Sequence, residues 1–135
     1  MAVQVRRAAP NELRVDFVGQ VEQADVESID AGIRSNLVEL PPKSFNVVLN
    51  LKGATDFSAA AREAMVAAHK KIAEVANRIA YVDDRATFRG LGLWVAHLAQ
   101  DANAKAVAQL EQARAWFVGS DNRVIVAQKL AGVLK

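Results

Sequence analysis

The stretch FNVVLNLKGATDFSAAAREAM, residues 45–65, passes from a strand pattern to a helix pattern within a few positions. Residues 45–51 are apolar and β-branched, which is typical of a strand buried on both faces. From Ser58 onwards alanine and other helix-forming residues dominate, which predicts a helix over residues 58–75. A buried strand that leads directly into a helix is the unit from which parallel sheets are built, so this stretch predicts an α/β fold.

Two segments that alternate apolar and polar residues precede this unit. Residues 3–8 and 12–19 have the period of strands, and the turn residues PNE between them predict an antiparallel hairpin. Residues 22–40 predict a helix, because an apolar residue recurs every three or four positions until Pro41.

The segments after residue 75 continue the alternation of strands and helices. They predict a strand over 78–82, a helix over 86–100, a short strand over 105–109 and a helix over 110–118. Strands that alternate with helices imply a mainly parallel sheet, and the opening hairpin adds an antiparallel edge. We therefore expect one α/β domain over residues 1–118, with a mixed sheet and helices packed on it.

Residues 119–135 predict a C-terminal amphipathic helix with an apolar stripe and no aromatic side chain. The stripe allows three alternatives: packing on the domain, a homodimer contact, or a helix on a membrane surface. Membrane-surface helices usually carry a richer basic face and exposed aromatic residues. Packing on the domain or on a partner is therefore favoured over membrane association.

Composition limits the class of protein. The chain has 135 residues, no cysteine and a formal net charge of +2, which suits one domain in a reducing compartment. We see no signal peptide and no run of the ~18 apolar residues that a membrane span needs, which predicts a cytoplasmic protein. The basic residues are scattered along several helices rather than clustered with aromatic residues, so we expect no nucleic-acid partner.

The residues that could carry catalysis or bind a metal are few. His69 and His97 each lie alone on a predicted helix, and we expect His69 on the surface and His97 on the surface or half-buried. A metal site needs several convergent ligands, which neither histidine has nearby. No nucleophile–base pair can be assembled, so we expect no enzyme, no metal and no cofactor.

Two adjacent carboxylates, Asp83 and Asp84, follow the predicted strand 78–82. The carboxyl end of a parallel strand is where open α/β sheets tend to bind ligands, and paired carboxylates suit a divalent cation. The alternative is that Asp84 caps the next helix, while Arg85 and Arg89 neutralise the pair. We favour capping.

Ser58 stands at the predicted start of a helix and has two interpretations. As an N-cap its hydroxyl would accept a hydrogen bond from a backbone N–H group of the first turn, with Thr55 and Asp56 as competitors for that role. As a phosphorylation site it would place about −1.5 to −2 charges at a helix N-terminus and alter a docking surface.

Three segments, in this order and spacing, resemble the SpoIIAA-like branch of the STAS superfamily, relatives of the bacterial anti-sigma factor antagonists. They are the strand and helix start at residues 45–58, the strand NRIAYVDD at 77–84 and the helix EQARAWFV at 111–118. The resemblance covers roughly residues 2–118. It implies a STAS-like fold and a non-enzymatic regulator that binds a protein partner such as an anti-sigma factor with kinase activity.

The resemblance also implies where such a regulator is modified and bound. In anti-sigma factor antagonists a serine at the start of the helix after the third strand is phosphorylated by the partner kinase, and Ser58 matches that position. The family pattern Asp-Ser-Ser-Gly is replaced here by DFSAA, residues 56–60, with no glycine after the serine. We predict Ser58 as the phosphosite and Asp56, Ser58 and Arg62 as the partner surface.

A second hypothesis belongs to another class of function. For the SpoIIAA-like branch, the resemblance also suggests a carrier or sensor of a hydrophobic, lipid-like ligand with peripheral membrane association. The ligand would lie between the sheet and the third helix, in contact with Phe88, Leu91 and Trp94.

Overall fold

The computed structural model describes residues 2–37 and 40–118. The elements are β1 (Val3–Ala9), β2 (Glu12–Val21), α1 (Gln23–Ser35), β3 (Asn46–Phe57), α2 (Ala59–Val75), β4 (Ile79–Val82), α3 (Ala86–Leu98) and β5 (Ala104–Val107). Residues 110–118 are also helical, and we label them α4. The helix predicted over 119–135 lies outside the described residues.

The five strands form one sheet in the order β1-β2-β3-β4-β5. β1 and β2 pair antiparallel, and every other neighbouring pair is parallel. This confirms the predicted α/β fold with a mixed, mainly parallel sheet and an N-terminal hairpin. Parallel neighbours that follow one another in the chain need crossover connections, which α1, α2 and α3 supply.

The hydrophobic core lies on both faces of the sheet. Leu49 and Tyr81 belong to the larger cluster, which includes side chains of α1, α2 and α3. Their neighbours Val48 and Ala80 belong to a smaller cluster with α4. Successive side chains of a strand point to opposite faces, so β3 and β4 are covered on both sides, as their apolar sequences predict.

β3 is longer than predicted, because it continues past residue 51 to Phe57. β2 pairs with it along this extension, as far as Val21 opposite Phe57, with two shifts of register. Gly53 permits the close approach, since a Cβ atom there would lie 2.6 Å from the backbone oxygen of Phe17. The extension carries Asp56 to the edge of the sheet where α2 begins.

α1 is shorter than predicted, because it ends at Ser35 rather than near residue 40. Asn36 leaves the helical conformation, and its side-chain amide donates to the backbone oxygen of Gly32 at 2.8 Å. Such side-chain bonds compete with the helical backbone pattern. Leu37 and Leu40 still pack against the core, which explains why the apolar spacing continues beyond the helix.

Across the described ranges, the helices all lack the combination of length and apolar character that crossing a bilayer requires.

Candidate functional site

A groove opens at the carboxyl edge of the sheet, between the end of β3, the start of α2 and the N-terminal part of α3. Its volume is about 380 Å³, and its walls are Asp56, Arg62, Thr87, Phe88, Gly90, Leu91 and Trp94. We call it the β3–α3 groove. It brings together two groups of residues that the sequence analysis treats as separate hypotheses: all three predicted ligand contacts, and two of the three predicted partner contacts.

The inner wall of the groove is aromatic and connects to the core. The ring of Phe88 lies 5.7 Å from the ring of Phe57, which in turn lies 5.5 Å from that of Phe17. The guanidinium carbon of Arg85 lies 3.9 Å from the centroid of the Phe88 ring. The ring of Phe88 is therefore fixed between the aromatic core and the guanidinium group of Arg85, and it forms a rigid wall of the groove.

Arg85 is itself held by the buried carboxylate of Asp83. Its Nε donates to Asp83 Oδ1 at 2.9 Å, and its Nη2 donates to Oδ2 at 2.6 Å. Burial of the Asp83 carboxyl acts to raise its pKa, but the hydrogen bonds and charge of Arg85 outweigh it and hold the pKa below its usual range. The two side chains form a strong, two-point ion pair beneath the groove.

The prediction that Asp84 caps α3 is wrong. The N-cap residue is Arg85, whose backbone N–H donates to Asp83 Oδ1 at 2.8 Å. Neither aspartate caps α3 through its side chain; Asp83 is buried and only satisfies the N–H of the N-cap residue, while Asp84 is exposed. Arg85 neutralises the Asp83 carboxylate as predicted, whereas Arg89 donates to the backbone oxygens of Asp83 and Asp84 and not to their carboxylates.

The rim of the groove carries a weak ion pair. Arg62 Nη2 lies 3.5 Å from Asp56 Oδ1, and both side chains are more than half exposed. Exposed pairs of this kind contribute about 0–1 kcal/mol. Either charge can therefore exchange its present partner for a group on another molecule at little cost.

Ser58 lies beside the groove rather than in its wall. It is the N-cap of α2, as predicted, and its Oγ accepts a hydrogen bond from the Ala61 N–H at 3.1 Å. Its own N–H donates to the backbone oxygen of Val21 at 3.1 Å. Ser58 is half-buried and lies one helical turn before Arg62, so a group attached to Oγ would reach the groove rim.

The outer face of α3 is apolar and exposed. Leu93, Trp94 and Leu98 are 54%, 43% and 44% exposed, although Leu98 continues the helical spacing of Phe88, Leu91 and Val95 in the sequence. The rotation of α3 is set by Gly92, where a Cβ atom would lie 2.5 Å from Cγ of Tyr81. α3 therefore packs on Tyr81 through its glycine, and this turns Leu98 towards solvent.

The prediction that His69 lies on the surface is also wrong. The ring is buried, with Nδ1 at 2.7 Å from the hydroxyl of Tyr81 and Nε2 at 2.7 Å from a carboxylate oxygen of Asp101. Burial lowers the pKa of His69, against an opposing hydrogen bond and charge from Asp101. The missed signal is its place on the apolar face of α2, between Met65 and Ile72. His97 is exposed, in agreement with its prediction.

Two further features of the described residues bear on the site. A wider opening of about 560 Å³ lies between α1 and α2, but its walls are alanines and charged residues such as Glu27, Asp30 and Glu63. Over residues 2–37 and 40–118, His, Asp and Glu side chains do not gather in groups of three that could hold a metal ion.

Comparison with known proteins identifies the fold. No protein-family model and no curated protein matches the chain. Solved structures do match, at low sequence identity. One is an uncharacterized protein with a SpoIIAA-like fold from Shewanella loihica, with 15% identity and a TM-score of 0.63 over 85% of this chain and 91% of that chain.

Two other matches are structures of SpoIIAA. The anti-sigma factor antagonist SpoIIAA in its unphosphorylated form has 14% identity and a TM-score of 0.60, over 87% of this chain and 97% of that chain. The Bacillus cell fate determinant SpoIIAA in the phosphorylated form has 17% identity and a TM-score of 0.55, over 83% and 96%. The chain therefore has a SpoIIAA-like fold, as the resemblance in its sequence implies.

Proposed function

We propose that this chain is a non-enzymatic regulatory module that binds a protein partner at the β3–α3 groove. The observation that carries the proposal is that one groove joins an apolar pocket of Phe88, Leu91 and Trp94 to the charged rim of Asp56 and Arg62. Protein interfaces commonly combine an aromatic centre with a polar rim, and a few central side chains supply most of the affinity.

The chemistry of the groove indicates what the partner presents. An apolar anchor residue would fill the pocket, and a charged group beside it would replace one member of the weak pair between Asp56 and Arg62. The SpoIIAA-like fold leads us to propose a partner of the anti-sigma factor class with a kinase-like domain. The cytoplasmic location and the homodimer remain predictions.

The non-enzymatic part of the proposal is supported by the environment of His69. Both of its ring nitrogens are engaged, and the side chain is fully buried. A general base must reach the proton that it abstracts, and His69 has no such access.

We further propose that phosphorylation of Ser58 switches partner binding. A phosphate on Oγ would interact favourably with the N–H groups at the start of α2. Arg62 lies at the i+4 position and pairs only weakly with Asp56, so it would turn to the phosphate. The rim would then present a net negative charge in place of an ion pair, and a partner suited to the unmodified rim would bind less tightly.

The binding site is tested with two variants of α3. A photo-crosslinking residue at Thr87, an exposed residue that also lines the groove, first identifies the partner in the native host. The purified partner is then titrated against the wild type, Trp94→Ala and Leu93→Ala. Both residues are exposed on the same helix, but only Trp94 lines the groove. We expect Trp94→Ala to lose about 30-fold or more in affinity, as truncated central aromatic residues do. Equal losses in the two variants would contradict the groove as the binding site.

The switch is tested with two variants of Ser58. The partner should bind Ser58→Ala and lose affinity for Ser58→Asp, and mass spectrometry of protein from the native host should find phosphate on Ser58. Equal affinities for the two variants, with no phosphate on Ser58, would leave the serine as a helix cap.

A carrier of a hydrophobic ligand is the second candidate, because the volume of about 380 Å³ falls in the range of small-molecule pockets, roughly 300–1,000 Å³. Native mass spectrometry after gentle purification distinguishes the two. A co-purifying lipid mass that is kept by Leu93→Ala and lost by Trp94→Ala would support the carrier. The bare protein mass, together with a partner crosslinked at Thr87, would support the interaction module.

A further inference from the structure

Three elements meet at the buried ring of His69. The histidine belongs to α2, Tyr81 belongs to β4, and Asp101 follows the end of α3. We infer that these three side chains form a pH-sensitive clasp that holds α3, the helix that carries the β3–α3 groove, against α2 and β4. This inference concerns the helix of the proposed binding site, but its test needs no partner.

The hydrogen bonds of the clasp require a neutral imidazole. Asp101 as a carboxylate only accepts hydrogen bonds, so Nε2 of His69 carries the proton and donates to it. Nδ1 then accepts the hydrogen bond of the Tyr81 hydroxyl. With both distances at 2.7 Å, this arrangement satisfies both ring nitrogens and the buried hydroxyl together.

Protonation of His69 breaks this arrangement. Nδ1 then becomes a donor, so the Tyr81 oxygen must accept from it and the hydroxyl proton must turn elsewhere. Among the described residues the Tyr81 hydroxyl has no hydrogen-bond partner besides His69, and the side chain is buried. A buried donor without an acceptor is unfavourable, so the protonated state favours a displacement of the three side chains.

Burial and the charged groups around the ring act on the pKa of His69 in opposite directions. Burial disfavours the imidazolium and is the larger effect, while the carboxylate of Asp101 favours it. Tyr81 stays neutral, since burial raises its pKa. Lys70 and Lys71 follow His69 directly on α2 but are exposed. The net result is a pKa of His69 below its ordinary value of 6.5.

The way in which the clasp depends on pH follows from the lowered pKa of His69. The folded state prefers the neutral imidazole, so the clasp is fully formed above about pH 6.5. Its contribution is lost as the pH falls from there through the pKa of the folded protein. The groove is therefore intact at neutral pH and loosens under mild acid.

The clasp acts on α3 at two places. At its C-terminal end, the Asp101 N–H donates to the backbone oxygen of Ala96 at 3.0 Å, so a displaced Asp101 pulls on the last turn. In its middle, Gly92 packs directly on Tyr81. Trp94 lies between these two places and lines the groove, which makes it a reporter of the position of α3.

Fluorescence of Trp94 tests the inference. Trp116 lies in α4 and packs with the cluster on the opposite face of the sheet, so a Trp116→Phe background leaves Trp94 as the single tryptophan of this chain, which has two. Acrylamide quenching is measured between about pH 7.5 and 5, with circular dichroism to confirm that the protein stays folded. We expect quenching to increase with a midpoint below about pH 6.5.

The chain offers a matched pair of controls, because it has two histidines and both lie on helices. His69→Gln should abolish the transition, whereas His97→Gln, at the exposed histidine of α3, should keep it. A flat wild-type signal, or a transition that survives His69→Gln, would overturn the inference.

A third variant keeps the test decisive if His69→Gln fails to fold. Asp101→Asn retains an oxygen that accepts from Nε2 but removes the charge that favours the imidazolium. The midpoint should therefore move to lower pH, and an unchanged or higher midpoint would count against the clasp. Failure to find a partner that binds the groove would count against the proposed function alone, because the Trp94 transition is measured without a partner.

Discussion

A comparison of two glycines in α3 tests how this helix is positioned. Gly90 and Gly92 lie in the same helix and differ in their surroundings. A Cβ atom at Gly90 would meet nothing within 4 Å, whereas one at Gly92 would lie 2.5, 2.8 and 2.9 Å from three atoms of Tyr81. The same substitution, glycine to alanine, therefore separates the intrinsic gain in helix stability from the effect of packing.

The expected magnitudes follow from these distances. Each alanine gains about 0.8–1 kcal/mol of helix propensity over glycine, so Gly90→Ala should raise the free energy of unfolding by about that amount. At Gly92 the new methyl group lies well inside the ~3.5–4 Å contact distance of carbon atoms. Overpacking of this kind costs about 1–3 kcal/mol.

Tyr81 cannot easily yield to the new methyl group, because its ring is buried and its hydroxyl is bonded to His69. The propensity gain is common to both variants and cancels in their difference. We therefore expect Gly92→Ala to be less stable than Gly90→Ala by about 1–3 kcal/mol.

Urea unfolding followed by circular dichroism measures this difference. If the free energy of unfolding falls by about 2 kcal/mol per M urea, the midpoints of the two variants should be about 0.5–1.5 M apart. The midpoint of Gly90→Ala should lie above that of the wild type. Equal slopes in the three proteins are the control for two-state unfolding. Coincident midpoints for the two variants would refute the close packing of α3 on Tyr81.

Two further predictions concern the residues next to the groove. Ser58→Ala should lower the free energy of unfolding by about 1 kcal/mol, because it removes an N-cap, while Ser58→Asp keeps a capping oxygen and should remain close to the wild type; urea unfolding measures both. Asp83→Asn should destabilise the protein at neutral pH, because Arg85 loses its charged partner. The pKa of Asp83 is lowered in the folded protein, so its contribution is present above about pH 4 and is lost as the pH falls through the folded pKa. The urea concentration at the unfolding midpoint of the wild type should therefore decrease once the pH is lowered below about 4. This decrease should be smaller in Asp83→Asn.

Each of these predictions has a neighbouring control. Thr55→Ala changes an exposed residue of β3 that does not cap α2, and it should leave stability nearly unchanged; wild-type stability in Ser58→Ala would contradict the capping role. Asp84→Asn changes the exposed neighbour of Asp83. If it altered the acid dependence as much as Asp83→Asn, the ion pair with Arg85 would not be the cause.

The order and type of the elements were determined by the sequence alone. The hairpin, the alternation of strands and helices and the start of α2 at Ser58 depend on signals that lie within a few residues of one another. Periods of 2 and about 3.6 residues, together with turn and capping residues, are local properties of the chain. They predict an element and the face that it buries without reference to its neighbours.

The site was decided by contacts between residues that are far apart in the chain. The sequence predicts Asp56 and Trp94 as members of different surfaces, and only the crossover connections of the parallel sheet place them in one groove. His69 is buried because Tyr81 and Asp101, which lie 12 and 32 residues away, satisfy both of its ring nitrogens.

The boundaries and rotations of the elements were also decided by contacts between residues that are far apart in the chain. β3 extends to Phe57 because β2 is long enough to pair with it, and α3 turns Leu98 outward because Gly92 rests on Tyr81. Local pattern determines what each segment forms. Tertiary contacts decide where a strand ends, how a helix is rotated and which polar groups are satisfied, because these outcomes depend on atoms that only the folded chain brings within a few ångströms of each other.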